Sequence, residues 1–163
     1  MIKLRRLLLL ALLPLAAVLA ACETQPDNVI QTDIPFRADG YLDFIRADSS
    51  TWRIAIEIAE TDSAQARGLM DRRSLPVRGG MLFVEEASEM KQFWMKSTPL
   101  PLDILFIADD MSIINIVKRT VPYSEEFINS TAPAQFVLEV RAGATDQWNI
   151  QPGDRVRWVR TES

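Results

Sequence analysis

Residues 52–59 (WRIAIEIA) place Trp52, Ile54, Ile56 and Ile58 on one side of an extended chain, and Arg53, Ala55 and Glu57 on the other. A period of two sends alternate side chains to opposite faces, so this run predicts a half-buried strand. Thr61-Asp62-Ser63 then supplies helix-capping hydroxyl and carboxylate groups, and the helix is expected to continue to Met70. Gly68 weakens that helix and permits close packing against it. Leu75-Pro76 and Gly79-Gly80 are turn signals. Short apolar strands follow at 81–84 and 93–95. Residues 102–108 (LDILFIA) are apolar almost throughout, which marks a central strand interrupted by Asp103. Asp109-Asp110 predicts a tight turn into an Ile- and Val-rich segment at 112–121. A strand at 135–140 (QFVLEV), one helical turn at 144–149, and a Pro152-Gly153-Asp154 turn into a last strand at 155–159 complete the pattern.

Six or seven strands with one substantial helix predict a mainly β (α+β) fold. The expected form is a compact antiparallel β-barrel or closed sandwich with the helix against one opening. Too few helices are present to make the crossovers that a parallel sheet needs.

The N-terminus follows a different pattern. Lys3, Arg5 and Arg6 precede residues 7–21, an apolar run broken only by Pro14. Those 15 residues fall short of the roughly 20 that span a bilayer. A basic start, a short apolar run and small residues before a cleavage point read as a secretory signal peptide over residues 1–21. The run ends Leu19-Ala20-Ala21-Cys22, which resembles a bacterial lipoprotein signal, and Cys22 is the chain's single cysteine. Cys22 is therefore expected to be lipidated, and more than one acyl chain would give stable membrane attachment. Glu23 is not the aspartate that commonly retains such proteins at the inner membrane, so the periplasmic face of the outer membrane is the expected location. Residues 22–50 are expected to be a flexible tether and 51–163 the globular domain, with folded structure starting between Phe36 and Thr51.

Composition narrows the chemistry. The chain of 163 residues has no histidine, which excludes Ser-His-Asp and Cys-His triads and His-ligated zinc or haem within it. One cysteine permits no internal disulfide and no Cys-rich metal site. No cofactor or metal is implied. Loss of residues 1–21 leaves 15 basic and 22 acidic residues, formally −7. That balance disfavours nucleic acid as a partner.

In order along the chain stand Arg67-Gly68-Leu69-Met70, Gly80-Met81-Leu82-Phe83-Val84, Phe93-Trp94-Met95-Lys96-Ser97-Thr98, Pro101-Leu102-Asp103-Ile104-Leu105-Phe106-Ile107, Pro122-Tyr123-Ser124 and Val137-Leu138-Glu139-Val140-Arg141-Ala142-Gly143. Together with Gly153-Asp154 these blocks resemble the DUF192 family, a bacterial and archaeal domain of about this size. The resemblance runs from Trp52 to Val159. It implies a secreted or lipid-anchored protein and brings no established activity. Ser97 and Phe127 depart from the Asn and Pro common in that family.

The densest chemistry lies between Phe93 and Asp103. In an extended chain Trp94, Lys96 and Thr98 share a face. Asp103 interrupts an apolar strand and needs a partner if buried, with Lys96 or Arg67 the natural cations. One reading makes Asp103 a satisfied structural acid. The other has Trp94, Lys96, Thr98, Asp103 and Arg67 line a pocket for a polar ligand. Glu139 interrupts a second apolar strand. It reads either as a solvent-facing partner of Arg141 or as one half of an acid/base couple with Asp103. Three functions are carried forward: a non-enzymatic envelope module binding a polar ligand such as a glycan, an assembly lipoprotein binding another envelope protein, and a carboxylate-based hydrolase or lyase.

Overall fold

The computed structural model describes residues 33–162. The expected signal peptide at residues 1–21, the expected lipidation site Cys22 and the first part of the expected tether lie outside the described residues. The elements in order are β1 (Gly40–Ile45), β2 (Thr51–Ala59), α1 (Asp62–Arg67), β3 (Gly79–Glu89), β4 (Gln92–Phe93), β5 (Leu102–Ile107), β6 (Ile113–Val117), β7 (Ile128–Asn129), β8 (Ala134–Arg141), α2 (Ala144–Gln147) and β9 (Arg155–Arg160).

Seven strands form one sheet in the order β6-β5-β8-β3-β2-β1-β9, and β4 pairs with β7 in a small separate ribbon. The sheet curls until the starts of its two edge strands meet. Ser112 bridges Arg155, Ile113 N–H donates to the Asp154 carbonyl at 2.8 Å, and Val156 N–H donates to the Met111 carbonyl at 2.8 Å. Beyond that junction β6 pairs only with β5, and β9 only with β1. The expected closed barrel or sandwich is therefore corrected to a mainly β, curled half-barrel. Closure would need a full ladder between β6 and β9, and β6 is only five residues long.

A second correction concerns strand direction. β2 and β3 run parallel, with α1 in the connection between them, while every other pair is antiparallel. A single crossover helix is enough for one parallel pair within a mixed sheet.

Both faces of the central strands are covered. Leu42, Ile56, Leu82, Leu105, Leu138 and Trp148 belong to the core on the inner face. Met81, Phe83, Ile104, Phe106 and Val137 point the other way, into a second core closed by Leu69, Leu75, Phe93 and Met95. Burial on both sides explains why β5 reads as a continuous apolar run rather than an alternating one.

Residues 40–45 fall inside the span 36–51 where folded structure was expected to start, and they form β1 between β2 and β9 rather than the end of a tether reaching residue 50. Leu42 and Phe44 are fully buried. On the opposite face Asp43 accepts two hydrogen bonds from Arg53, at 2.7 and 2.8 Å, and one from Arg157 at 3.2 Å. The chain ahead of β1 is also tied down. Arg72 donates to both oxygens of Glu57, at 2.8 and 2.5 Å, in a buried fork. Glu57 also accepts from Arg37 N–H at 2.7 Å. An unpaired member of such a fork would be a buried charge, so the pair specifies the path of this segment.

Thr61 caps α1 by accepting from Ala64 N–H at 3.3 Å. The helix stops at Arg67 rather than continuing to Met70, because Gly68 takes φ +47° and turns the chain. Combined with ψ −134°, that φ lies in a region that glycine enters without steric cost and other residues do not.

Candidate functional site

Asp103 is the second residue of β5, and its side chain is completely buried. Its Oδ1 accepts from Arg119 N–H at 2.9 Å and Gly143 N–H at 3.1 Å. Its Oδ2 accepts from Thr145 N–H at 3.1 Å and the Thr145 hydroxyl at 2.7 Å. These four bonds tie the start of α2 and the turn after β6 to the central strand. A carboxylate accepts well from several backbone amides, so it needs no cation here. The expectation that Lys96 or Arg67 would be its partner is corrected accordingly.

Register separates Asp103 from Glu139. Asp103 lies opposite Val140, whereas Glu139 lies opposite Ile104 on β5 and Met81 on β3. Directly opposed residues share a face, so Asp103 belongs to the inner face and Glu139 to the outer one. An acid/base couple between them is excluded, because the sheet stands between the two carboxyls.

On the outer face, α1 and the segment through β4 leave a cavity of about 300 Å³ above β3 and β8. Arg67, Trp94, Lys96 and Thr98 all line it, and Asp103 does not. The three residues of the β4 segment share this cavity even though β4 ends at Phe93 and Ser97 takes φ +52°. Trp94 is 41 % exposed. Its ring stacks on Phe127 with centroids 6.4 Å apart and planes 14° from parallel. Lys96 Nζ lies 5.0 Å from the Trp94 ring centre, a cation–π contact. The buried Thr98 hydroxyl donates to the Lys96 carbonyl at 3.1 Å and so fixes the turn that presents Lys96. Arg67 is 3.9 Å from Asp71, with both side chains well exposed.

Phe83, Phe93 and Gln65 form walls whose part the sequence reading missed, while Gly68 gives the close packing expected of it. Phe83 and Phe93 meet edge to face at 5.0 Å, and Gly68 sits against Phe83. A Cβ at Gly68 would lie 3.2 Å from Phe83 Cζ, so the absent side chain lets α1 approach the ring. Gln65 is held in place by donating to the Val84 carbonyl at 2.9 Å.

Glu139 also lines the cavity. It is 5 % exposed, flanked by Met81 and Ile104, and among the described residues no hydrogen bond or ion pair reaches its carboxyl. Burial pushes its pKa up to about 8. The reading of Glu139 as a solvent-facing partner of Arg141 is corrected: the side chain belongs to the covered face of the sheet, where desolvation disfavours the charged form. Its signal in the sequence was an acid inside FVLEV. The sequence left Glu139 open between a solvent-facing partner of Arg141 and a couple with Asp103, because the cover on the second face of the sheet does not show in it.

Known proteins place this architecture in context. The family profile DUF192, described as "Uncharacterized ACR", matches residues 44–158. A solved structure from Sinorhizobium meliloti 1021, provisionally described as a transcription regulator, is 39 % identical with a TM-score of 0.71, covering 73 % of this chain and 92 % of that one. A protein of unknown function from Novosphingobium aromaticivorans DSM 12444 is 35 % identical with a TM-score of 0.69, covering 72 % of this chain and 84 % of that one. Comparison with curated proteins gives no match. Sequence blocks, curled sheet and solved relatives agree, and the chain belongs to the DUF192 family.

Proposed function

We propose that this domain is a non-enzymatic binding module whose outer-face cavity takes a small polar group, such as one sugar unit of a glycan. The observation that carries this reading is the Glu139 carboxyl, on a residue only 5 % exposed, which opens on the cavity beside aromatic walls and has no protein partner among the described residues. A little-exposed carboxyl that the protein leaves unpaired beside a cavity is free to hydrogen-bond what enters it, and convergent polar and aromatic groups of this kind suit a ligand. Trp94 gives an exposed ring on which a sugar face can stack. About 300 Å³ accommodates a unit of that size. The hydrolase reading loses its support, since Asp103 is engaged in four hydrogen bonds and shares no face with Glu139.

The leader read at residues 1–21 and the Leu19-Ala20-Ala21-Cys22 run support a lipid-anchored form at the envelope, with the outer membrane favoured. Export as a lipoprotein would place the module among envelope glycans. The formal charge of −4 on the whole chain gives no electrostatic reason for a nucleic-acid partner.

A second reading rests on a separate observation. Val121, Tyr123 and Phe127 are each more than 60 % exposed in the segment that packs beside Trp94. An apolar rim of this kind also suits contact with another envelope protein.

Calorimetric titration of the protein with glucose, mannose and N-acetylglucosamine tests the first reading. Saturable binding to at least one is expected, with at least a tenfold loss in Trp94→Ala. Binding to none of them, by either protein, counts against the cavity as a sugar site and favours the protein-contact reading.

A further inference from the structure

We infer that Glu139 recognises its ligand as a neutral carboxylic acid, so the group at the cavity floor is an uncharged donor–acceptor such as a hydroxyl or acetamido group rather than an amine. The inference rests on the cavity being a ligand site, as proposed above, and it specifies the chemistry of that site.

The argument begins with the neighbours. On the flanking strands the residues directly beside Glu139 are Met81 and Ile104, both apolar. The charged groups around the cavity come from several elements. Arg67 closes α1, 3.9 Å from Asp71. Glu85 on β3 is held by Lys91 at 3.0 Å. Lys96 follows β4 and lies over Trp94. Arg141 is two residues along β8 and exposed. No cation among these lies within ion-pair distance of Glu139, and burial is the sole cause of its raised pKa of about 8.

At neutral pH the Glu139 carboxyl is therefore mainly protonated. A protonated carboxyl offers one O–H donor beside acceptor lone pairs. A sugar hydroxyl or an acetamido group presents the complementary pair, and both hydrogen bonds form without burying a net charge. An ammonium pairs best with the ionised carboxyl, which is the minor form at pH 7. It would also share the cavity with Lys96 and Arg67, which carry the same sign. Both effects select against it.

The same titration, run from pH 6 to 9.5 with N-acetylglucosamine and with glucosamine as the charged amine control, tests this inference. Affinity for the N-acetyl sugar is expected to be level up to pH 7 and to fall above about pH 8, approaching tenfold per unit. Glu139→Gln keeps the shape and the donor–acceptor character. It is expected to bind within about threefold of wild type, with the pH dependence gone, while Glu139→Ala loses at least tenfold. Urea midpoints of the variants confirm that each is folded. Affinity that rises with pH, a preference for glucosamine, or a Glu139→Gln variant as weak as Glu139→Ala would overturn the neutral-acid reading while leaving a ligand site in place. Wild type that binds neither sugar at any pH overturns both readings.

Discussion

Replacing Asp103 by Asn tests the account of the fold at its most constrained polar group. Each carboxylate oxygen accepts two hydrogen bonds, one pair from Thr145 and the other from Arg119 and Gly143. An amide has a single oxygen, so it keeps one pair and turns an NH2 toward the other. If the NH2 faces Thr145, the hydroxyl can rotate to accept, but the Thr145 N–H is stranded at a fully buried residue. In the opposite orientation two backbone N–H groups lose their acceptor. A hydrogen bond to a charged acceptor contributes about 1.5–3 kcal/mol, and a stranded buried donor costs about 1–3 kcal/mol. The neutral side chain recovers part of this, because no charge is then desolvated. The net expectation is a loss of about 3 kcal/mol. In equilibrium urea unfolding at pH 7 with tryptophan fluorescence, a slope of about 2 kcal/mol/M converts that loss to a midpoint lowered by about 1.5 M. Hydrogen exchange supplies the local signature: the amides of Arg119, Gly143 and Thr145 should exchange faster than those of β1. A loss below about 1 kcal/mol, or no local change in exchange, would refute the assignment of Asp103 as the tie between β5, the turn after β6 and α2.

Two further outcomes are expected. Glu139 has a folded-state pKa raised from 4.5 to about 8, so the native state holds its proton more tightly than the unfolded chain. Its contribution to stability is therefore greatest below pH 4.5 and is lost as pH rises toward 8, amounting to at most about 5 kcal/mol. The urea midpoint of wild type should fall between pH 5 and 8.5, and that of Glu139→Gln should fall much less; parallel profiles would mean the carboxyl is solvated. For the N-terminal reading, Cys22→Ser expressed in a bacterial host should move the protein from the membrane fraction to the soluble periplasmic fraction, and unchanged membrane association would remove the lipid-anchor proposal.

The strands most legible in the sequence were those whose surroundings leave a simple signature. The alternation at residues 52–59 survives in β2, and the unbroken apolar run of β5 follows from cover on both faces. β1 was hidden because Asp43 and the nearby charges resemble tether composition. Asp43 is matched by Arg53 on β2 and by Arg157 on β9, the latter 114 positions away in the chain. The two-residue strands β4 and β7 exist mainly through each other. The helix was expected to run to Met70, but a backbone turn at Gly68 ended it and brought α1 against Phe83.

The sequence by itself determined the mainly β class, the position and cap of α1, and the blocks that mark the DUF192 family. These depend on local periodicity and local chemistry, which a linear chain displays. Tertiary structure decided how far the sheet closes, which strands run parallel, and the fates of the two strand-interrupting acids. Asp103 met four donors from residues 16 to 42 positions away. Glu139, in an equally apolar strand, met a cavity instead. An acid in an apolar strand announces only that desolvation must be answered. Whether a backbone amide, a cation, a proton or a ligand answers it depends on what the fold brings to that face.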